Sequence, residues 1–210
     1  MMVGHGWGVF LWWFDAPNDN NIIEGNVIGN TASGIHVSWG SGNVIRGNHL
    51  GIDREGNPIP NDRGVSTGGS SGEIGGCTIG PRNVIAHNNE QGIAIYEAAD
   101  ATTITENSIF GNGGGIFRNP ASALLPPTVL ETSPISGTAP PGSTVELFLD
   151  GGHEGRFFIG TVKADIAGNF STAFDLTGFV GNVTATATDA NGNTSEFSLP
   201  VPMAPQLVNS

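Results

Sequence analysis

The chain has very little cysteine, lysine or charge of any kind. Of its 210 residues, one is cysteine, Cys77, and one is lysine, Lys163. A single cysteine excludes an intrachain disulfide, and the apolar, glycine-rich sequence around it predicts a buried, inert thiol. Charged residues make up 12% of the chain, and 19 acidic against 7 basic side chains give a net charge of −12. Because no basic stripe exists, a nucleic-acid-binding surface is excluded.

The acidity also limits other partners. An anionic polysaccharide would be repelled unless calcium bridged it, whereas neutral glycans, cations and cationic partners remain permitted. Long hydrophobic runs are missing as well. Residues 9–14 are apolar, but this run is too short to span a membrane. It also lacks the basic segment and the small-residue cleavage site that mark a signal peptide. We therefore predict no membrane insertion.

What the chain has in abundance is glycine, at 33 positions, and asparagine, and the two are arranged in a repeat. Each copy has asparagines flanking aliphatic residues, followed by Gly-aliphatic-x-aliphatic. The copies cover 21–26 with 34–37, 43–48 with 64–67, 83–88 with 92–95, and 103–107 with 115–117. Self-similarity at this period, with short strands between Gly and Asn, predicts a solenoid of stacked β-coils.

Stacking of the coils predicts which residues share an interior column. One column is expected to contain Ile23, Ile45, Ile85 and Ile104. A second is expected to contain Val9, Ile35, Val65, Ile93 and Ile116. Asparagines are expected in one register at Asn26, Asn48, Asn88 and Asn107. Asn tolerates the left-handed backbone of a bend, and stacked Asn side chains form hydrogen-bonded ladders.

A different pattern follows the repeat. Pro120 and the pair Pro126-Pro127 interrupt the coil and indicate a linker. Alternating runs then recur at 143–149, 157–162, 168–174 and 182–188, which predicts a small antiparallel sandwich. We accordingly divide the chain into β-helix repeats at 1–120, a sandwich at 127–202 and a flexible tail at 203–210.

Two stretches carry a family resemblance. Ile74-Gly75-Gly76 with 80–85, and the insertion 51–61, resemble a secreted or surface-attached bacterial branch of the right-handed parallel β-helix proteins, the pectate-lyase-like superfamily. Residues 184–197 resemble the immunoglobulin-like domains of bacterial surface proteins. The resemblance implies an all-β fold, a right-handed parallel β-helix followed by a small antiparallel β-sandwich. It also implies an extracellular or cell-surface location, in a longer exported protein or a mature form without its leader. We expect the coil to lack its first rungs.

Strand alternation places a row of side chains on the outer face of the coil. The row contains Phe10, His36, Ser66, Ala94 and Phe117, with Trp12, Trp39 and Tyr96 beside it. Exposed aromatic rings stack on sugars. The predicted carbohydrate-binding residues are therefore Phe10, Trp12, His36, Trp39, Tyr96 and Phe117. Alternatively, Trp7, Trp12, Trp13 and Phe14 cover the open end of the coil, or form an interface there, including one for self-association.

Catalytic residues are harder to identify. Gly4-His5-Gly6 resembles part of the polygalacturonase active site, but that family's aspartate motifs lie upstream, and only four residues precede His5 here. A lyase requires carboxylates and a basic residue. The candidates are Glu90, Glu97 and Asp100, with Arg82 or Arg63 as base. Solvated surface carboxylates are the alternative interpretation.

The histidines of the chain show no spacing typical of a transition-metal site. Asp189, Asn191 and Asn193 are candidate calcium ligands, and the alternative for this segment, as for 53–57 and 165–169, is a hairpin turn. No cofactor is predicted, with calcium possible. Glu24 and Arg46 are expected to form a stacked surface ion pair.

Two functions remain open. One is an exported, non-catalytic module that binds a polysaccharide, a cell-surface glycan or another partner, or serves as a scaffold. The other is a polysaccharide lyase or glycoside hydrolase of β-helix type.

Overall fold

The computed structural model describes residues 6–12, 18–68, 74–96, 99–119, 124–174, 176 and 178–203, and all regular secondary structure there is β-strand. In this part of the chain no helix has the length and apolar character to cross a bilayer. Within the described residues the coil contains sixteen short strands. They are β1 (Trp7–Leu11), β2 (Ile22–Glu24), β3 (Val27–Ile28), β4 (Ser33–Val37), β5 (Gly40–Ser41), β6 (Val44–Arg46), β7 (His49–Leu50), β8 (Arg63–Thr67), β9 (Ile74–Gly75), β10 (Thr78–Ile79), β11 (Val84–Ala86), β12 (Gln91–Ile95), β13 (Ala99–Asp100), β14 (Thr103–Ile104), β15 (Ser108–Phe110) and β16 (Gly114–Arg118).

These strands stack into parallel sheets that run along the coil. The front sheet has the order β1-β4-β8-β12-β16, and two others have the orders β14-β10-β6-β2 and β15-β11-β7-β3. Strands β5, β9 and β13 form a fourth, smaller sheet. Each sheet takes one strand from each successive turn, so the chain forms a parallel β-solenoid of about 4 turns. The predicted all-β solenoid of stacked coils is confirmed.

The interior columns are confirmed in part. Val9, Ile35, Val65, Ile93 and Ile116 are consecutive partners in the front sheet, as predicted. In the first predicted column, Ile23, Ile45 and Ile104 do align, but Ile79 stands between Ile45 and Ile104. The placement of Ile85 was wrong, because Ile85 pairs with Leu50 and Ile109 in the neighbouring sheet. An Asn-x-aliphatic segment occurs at two corners of the first two turns, but Cys77 and Thr102 take the asparagine position at one corner of the later turns. The segment that begins at Asn83 therefore belongs to the other corner.

The asparagine ladder exists with the same correction. The amide of Asn26 hydrogen-bonds to Asn48, Asn48 to Asn83, and Asn83 to Asn107, at 2.8–3.1 Å. Asn83 therefore occupies the place predicted for Asn88. A second ladder joins Asn61 to Asn88 and Asn88 to Asn112. Buried side-chain amides thus pair from turn to turn, which satisfies polar groups inside the coil.

The left-handed residues lie one position before the ladder asparagines. Gly25, Gly47, Arg82 and Glu106 have φ values of 73°, 62°, 66° and 49°, and each directly precedes a member of the first ladder. The explanation that the ladder asparagines themselves adopt the left-handed bend was therefore wrong. They are selected for hydrogen bonding, while the preceding residue turns the chain.

An antiparallel sandwich follows the coil. Its strands are β17 (Thr128–Thr132), β18 (Ile135–Thr138), β19 (Thr144–Asp150), β20 (Phe157–Lys163), β21 (Asn169–Thr172), β22 (Asn182–Thr188) and β23 (Val201–Pro202). They form two sheets with the orders β17-β18-β21 and β20-β19-β22-β23. Buried residues of both sheets, including Val145, Leu147 and Phe170, share one core. The fold class predicted for this half is confirmed.

The sandwich covers the end of the coil that follows the last turn. Ile109 and Gly155 form an antiparallel bridge with reciprocal hydrogen bonds of 2.9 Å. Phe197 packs against the hydrophobic core of the coil. Carboxylates of the sandwich accept backbone N–H groups from the last turn at Glu106, Asn112 and Arg118. The exposed end that a β-coil would otherwise present is thus hydrogen-bonded and packed.

Candidate functional site

The candidate site lies on the outer face of the front sheet. Phe10, His36, Ser66, Ala94 and Phe117 are consecutive partners across its strands, which is the register predicted for the outward row. The row is not uniformly exposed. Ser66 is 2% exposed and Ala94 is fully buried, whereas Phe117 is 36% exposed. Small residues in the middle of the row, with rings at both ends, leave a recess in the face.

Aromatic rings form what we call the upper stack, consisting of Trp7, Phe10, Trp12 and His36. The ring centroids of Trp7 and Phe10 lie 4.2 Å apart with an interplanar angle of 18°, and those of Phe10 and Trp12 lie 5.4 Å apart with an angle of 27°. The centroid of the His36 ring lies 5.1 Å from that of Phe10 and 6.0 Å from that of Trp7. Trp7 and Trp12 remain 52% and 62% exposed. Near-parallel rings with free faces provide a flat apolar surface.

Tyr96 and Phe117 form what we call the lower pair, with ring centroids 6.0 Å apart. The recess has a volume of about 480 Å³ and lies between the upper stack and this pair. Its lining consists of Gly6, Trp7, Ala32, Ser33, His36, Arg63, Ser66 and Tyr96. That size falls within the range of about 300–1,000 Å³ typical of ligand sites.

Polar groups in the recess are hydrogen-bonded to one another. His36 Nδ1 lies 2.6 Å from Ser66 Oγ, and Ser66 Oγ lies 2.8 Å from Ser33 Oγ. Arg63 pairs with Glu90, and its guanidinium carbon lies 6.0 Å from the Tyr96 ring centroid. Burial, and secondarily the positive charge of Arg63, lowers the pKa of His36. The imidazole is therefore held in its neutral form at neutral pH.

Ser33 was not predicted as a member of the site, Arg63 was predicted only as a candidate lyase base, and Trp7 only as cover or interface at the open end of the coil. These three are also consecutive partners in the front sheet, one position before the glycine of each repeat. That shared position was the available signal. Trp7 and Trp12 had an alternative role as cover for the open end of the coil, but both stack beside Phe10 with largely exposed rings. Trp13, Phe14 and His5 lie outside the described residues.

Trp39 is half-buried and lies beyond the end of β4, between Val37 and β5. It is not part of the recess lining. Of the predicted aromatic binding residues, the structure therefore groups Phe10, Trp12 and His36 at one end and Tyr96 and Phe117 at the other.

The catalytic candidates do not converge. Glu90 reaches the recess wall through its ion pair with Arg63. Arg82 is an exposed corner residue before β11, outside the recess lining. Glu97 lies outside the described residues, and Asp100 belongs to β13, whose side chains are not described. Glu24 and Arg46 form the predicted ion pair at 3.0 Å, with both side chains largely exposed.

The calcium candidates form a turn. One carboxylate oxygen of Asp189 accepts the backbone N–H groups of Asn191 and Asn193 at 2.9 Å. Asp53 and Asp165 make the same pattern with the residues two and four positions later. These bonds are typical of side-chain-capped turns. Across the described ranges, no group of three or more His, Cys, Asp or Glu is arranged to hold a metal ion.

Comparison with known proteins gives no assignment: no protein-family model matches the chain, and no curated protein matches it in sequence.

Proposed function

We propose that the chain is the glycan-binding part of an exported bacterial surface protein, built on a right-handed β-helix of the pectate-lyase-like type. The observation that carries the proposal is the arrangement of two aromatic surfaces on either side of a polar recess. The upper stack exposes Trp7 and Trp12, and the lower pair contains Tyr96 and Phe117. Such rings bind the apolar faces of sugars, while polar groups between them bind hydroxyls.

The polar groups suit a hydroxyl-rich ligand. Ser33, His36 and Ser66 offer hydroxyl and imidazole groups, and Arg63 offers N–H donors. The described lining of the recess includes no carboxylate, so the protein's overall net charge of −12 is not concentrated there. Neutral glycans are the ligand class that this combination favours, because an anionic chain would meet long-range repulsion from the rest of the protein.

The sandwich fits a role in spacing or attachment. It is docked on the last turn of the coil through Gly155 and Phe197, away from the recess lining. We assign it to the bacterial immunoglobulin-like type on the resemblance of residues 184–197. An extracellular or cell-surface location follows from the same proposal.

A second candidate function is glycan cleavage by a lyase or glycoside hydrolase mechanism. The observation in its favour is that Glu90 and Arg63 form an ion pair at the recess, which places one carboxylate and one basic group beside a bound sugar. Release of reducing ends or unsaturated uronates from polysaccharides, abolished by Glu90→Gln, would favour this function over binding alone.

The binding proposal predicts that Trp12→Ala and Tyr96→Ala each weaken glycan binding. We expect a loss of about tenfold in affinity per variant, since truncation of a stacking aromatic side chain typically costs more than ~1 kcal/mol. Isothermal titration with soluble β-glucan, xylan and mannan, with and without calcium, measures the effect. Phe179→Ala is the matched control, because Phe179 is an exposed aromatic residue of the sandwich. Affinities equal in all four proteins would contradict the proposal.

A further inference from the structure

We propose that the recess also hydrolyses carboxylic esters, with Ser66 as the nucleophile and His36 as its general base. The expected substrate is a small acyl group esterified to a hydroxyl of the bound glycan, and this choice of substrate rests on the proposed function. Ester hydrolysis leaves the glycosidic bond intact, so it needs no pair of carboxylates.

The geometry of three side chains carries this inference. Ser66 Oγ lies 2.6 Å from His36 Nδ1, and Ser33 Oγ lies 2.8 Å from Ser66 Oγ. A serine hydroxyl within hydrogen-bond reach of an imidazole is the arrangement that activates serine as a nucleophile. His36 and Ser66 are direct partners on adjacent strands β4 and β8. Their spacing is therefore set by the backbone of a stacked sheet, which positions side chains more precisely than a loop does.

The proposed reaction requires the His36 tautomer with the ring proton on Nε2. In that tautomer Ser66 donates to His36 Nδ1 and Ser33 donates to Ser66. Burial and Arg63 lower the pKa of His36 and keep it neutral. The other titratable groups that line the recess are Arg63 and Tyr96, and Glu90 pairs with Arg63 at its edge.

The reaction balances with water as the only co-reactant. Ser66 Oγ bonds to the acyl carbon while its proton passes to His36 Nδ1, and the carbonyl electron pair moves onto oxygen. Collapse breaks the bond to the sugar oxygen, which takes the proton from His36. Water then attacks the acyl carbon while His36 takes its proton. The bond from the acyl carbon to Ser66 Oγ breaks, Ser66 takes the proton back from His36, and the carboxylic acid is released. The guanidinium of Arg63, in the same recess, supplies positive charge for the oxyanion.

Burial restricts the acyl group to a small one. Ser66 is only 2% exposed and belongs to the lining of the recess, so its hydroxyl lies at the floor. An acetyl group reaches such a floor while its sugar stays between the upper stack and the lower pair. A bulky acyl chain would be excluded.

The test uses p-nitrophenyl acetate hydrolysis and labelling by a fluorophosphonate, with the labelled serine identified by peptide mass spectrometry. We expect the label on Ser66. Ser66→Ala and His36→Gln should each lower hydrolysis by at least about 100-fold, the usual contribution of a nucleophile or its base. The wild-type rate should rise with pH as His36 loses its proton. Ser171→Ala, which removes an exposed serine of the sandwich, should leave labelling and rate unchanged.

The inference would be overturned if hydrolysis persisted in Ser66→Ala, or if the wild-type protein were neither labelled nor active. The contact between Ser66 and His36 would then be only a structural hydrogen bond. Circular dichroism of Ser66→Ala checks its fold. A second variant, Ser66→Cys, should be alkylated by iodoacetamide faster than the same variant carrying His36→Gln. Glycan affinity measured on Ser66→Ala separates the two proposals, since loss of hydrolysis with retained binding leaves the proposed function intact. Hydrolysis without any glycan binding would remove only the proposed function.

Discussion

A ladder asparagine places a polar side chain in a dry interior at little cost. The Asn83 side chain is fully buried. Its Oδ1 accepts the backbone N–H of Asn48 at 3.0 Å and the Asn48 amide at 3.1 Å. Its Nδ2 donates to Ile45 O and to Asn107 Oδ1, both at 2.8 Å. Because each polar atom is paired, the desolvation penalty of the amide is offset.

Cys77 stands where a third ladder is interrupted. Asn21 hydrogen-bonds to Asn43 Oδ1 through both its backbone and its side-chain nitrogen at 3.0 Å. The next position in that register is Cys77, and Asn43 Nδ2 is buried without a hydrogen-bond partner. The thiol is buried, and burial raises its pKa to about 12. The predicted burial of the cysteine is confirmed, and the raised pKa is the reason to expect an unreactive thiol.

Restoring the ladder at this position should stabilise the coil. In Cys77→Asn the new Oδ1 would accept from Asn43 Nδ2, as Asn43 Oδ1 does from Asn21. We expect the free energy of unfolding to rise by about 1 kcal/mol, since one orphaned buried donor becomes paired. Urea denaturation measures this change. Cys77→Ala, which removes the thiol without supplying an acceptor, is the control and should be no more stable than the wild type. A destabilised Cys77→Asn would show that the site lacks room for the amide.

At the scale of the strand, the glycine of each repeat is required by close packing between turns. A Cβ at Gly34 would lie 2.7 Å from the carbonyl oxygen of Gly64, and one at Gly64 would lie 2.6 Å from that of Gly92. The same contact recurs at Gly8, 2.5 Å from the carbonyl oxygen of Gly34, and is looser at Gly92, 3.1 Å from that of Gly115. Positive φ is not the reason, because none of these glycines has one. Each front strand therefore approaches the next turn too closely for any side chain at this position.

Gly64→Ala should accordingly destabilise the coil. Besides the carbonyl contact, the added methyl group would lie 2.5 Å from Ile85 Cγ2. Overpacking of this kind costs about 1–3 kcal/mol, which urea denaturation resolves. Gly114→Ala is a matched control within the same sheet, because its Cβ would meet nothing closer than Gln91 Cγ at 3.9 Å. Equal stabilities for the two variants would contradict the close-packing explanation.

The sequence determines the front sheet better than its neighbours, for a physical reason. In the front sheet the glycine marks one position per turn, so the register of Ile35, Val65 and Ile93 follows without ambiguity. At the other two corners of the first two turns the same Asn-x-aliphatic pattern recurs, and residues 83–88 fit either corner. Only the hydrogen bonds between turns resolve that choice.

The candidate site, like the coil, was predictable only in part from the sequence. Phe10, His36 and Phe117 follow from strand alternation, and their register is as predicted. The recess does not follow from the sequence alone. It depends on the contact of Ser33 with Ser66 and on the position of Arg63 beside Tyr96, which are distances between side chains of different turns.

For the whole molecule, the sandwich replaces the turn that would follow the last coil. Asn112 donates its backbone N–H and its side-chain amide to the two oxygens of Glu154, each at 3.0 Å. Asn88 makes the same pair of bonds to Asn112 Oδ1, so Glu154 takes the place of the next ladder asparagine. Glu146 accepts from Thr105 and from the backbone of Glu106. Glu154 thus ends the second ladder, while Glu146 binds the corner directly before Asn107, the last asparagine of the first ladder.

These two carboxylates are buried, at 5% exposure for Glu146 and 3% for Glu154. Burial raises the pKa of both, against the opposing effect of their hydrogen bonds to Thr105 and Asn112. A carboxyl group whose folded pKa is raised contributes its stability below the ordinary pKa and loses it as pH rises through the folded value. Hydrogen bonds lower the pKa values of Asp53 and Asp165. These two groups therefore contribute stability above the ordinary carboxyl pKa and lose it as pH falls.

The cap therefore predicts a protein that becomes less stable as pH rises from the ordinary carboxyl pKa through the raised pKa values of Glu146 and Glu154. In Glu146→Gln/Glu154→Gln neither group titrates, so the free energy of unfolding from urea denaturation should change less over this range than in the wild type. Its absolute stability should be lower at acid pH, since each amide has one acceptor oxygen where the carboxyl had two. Glu55→Gln/Glu131→Gln removes the same charge from exposed positions and should keep the wild-type slope. A double cap variant with an unchanged slope would mean that Glu146 and Glu154 are ionised with their ordinary pKa values, and that the cap is held by Phe197 packing and backbone bridges instead.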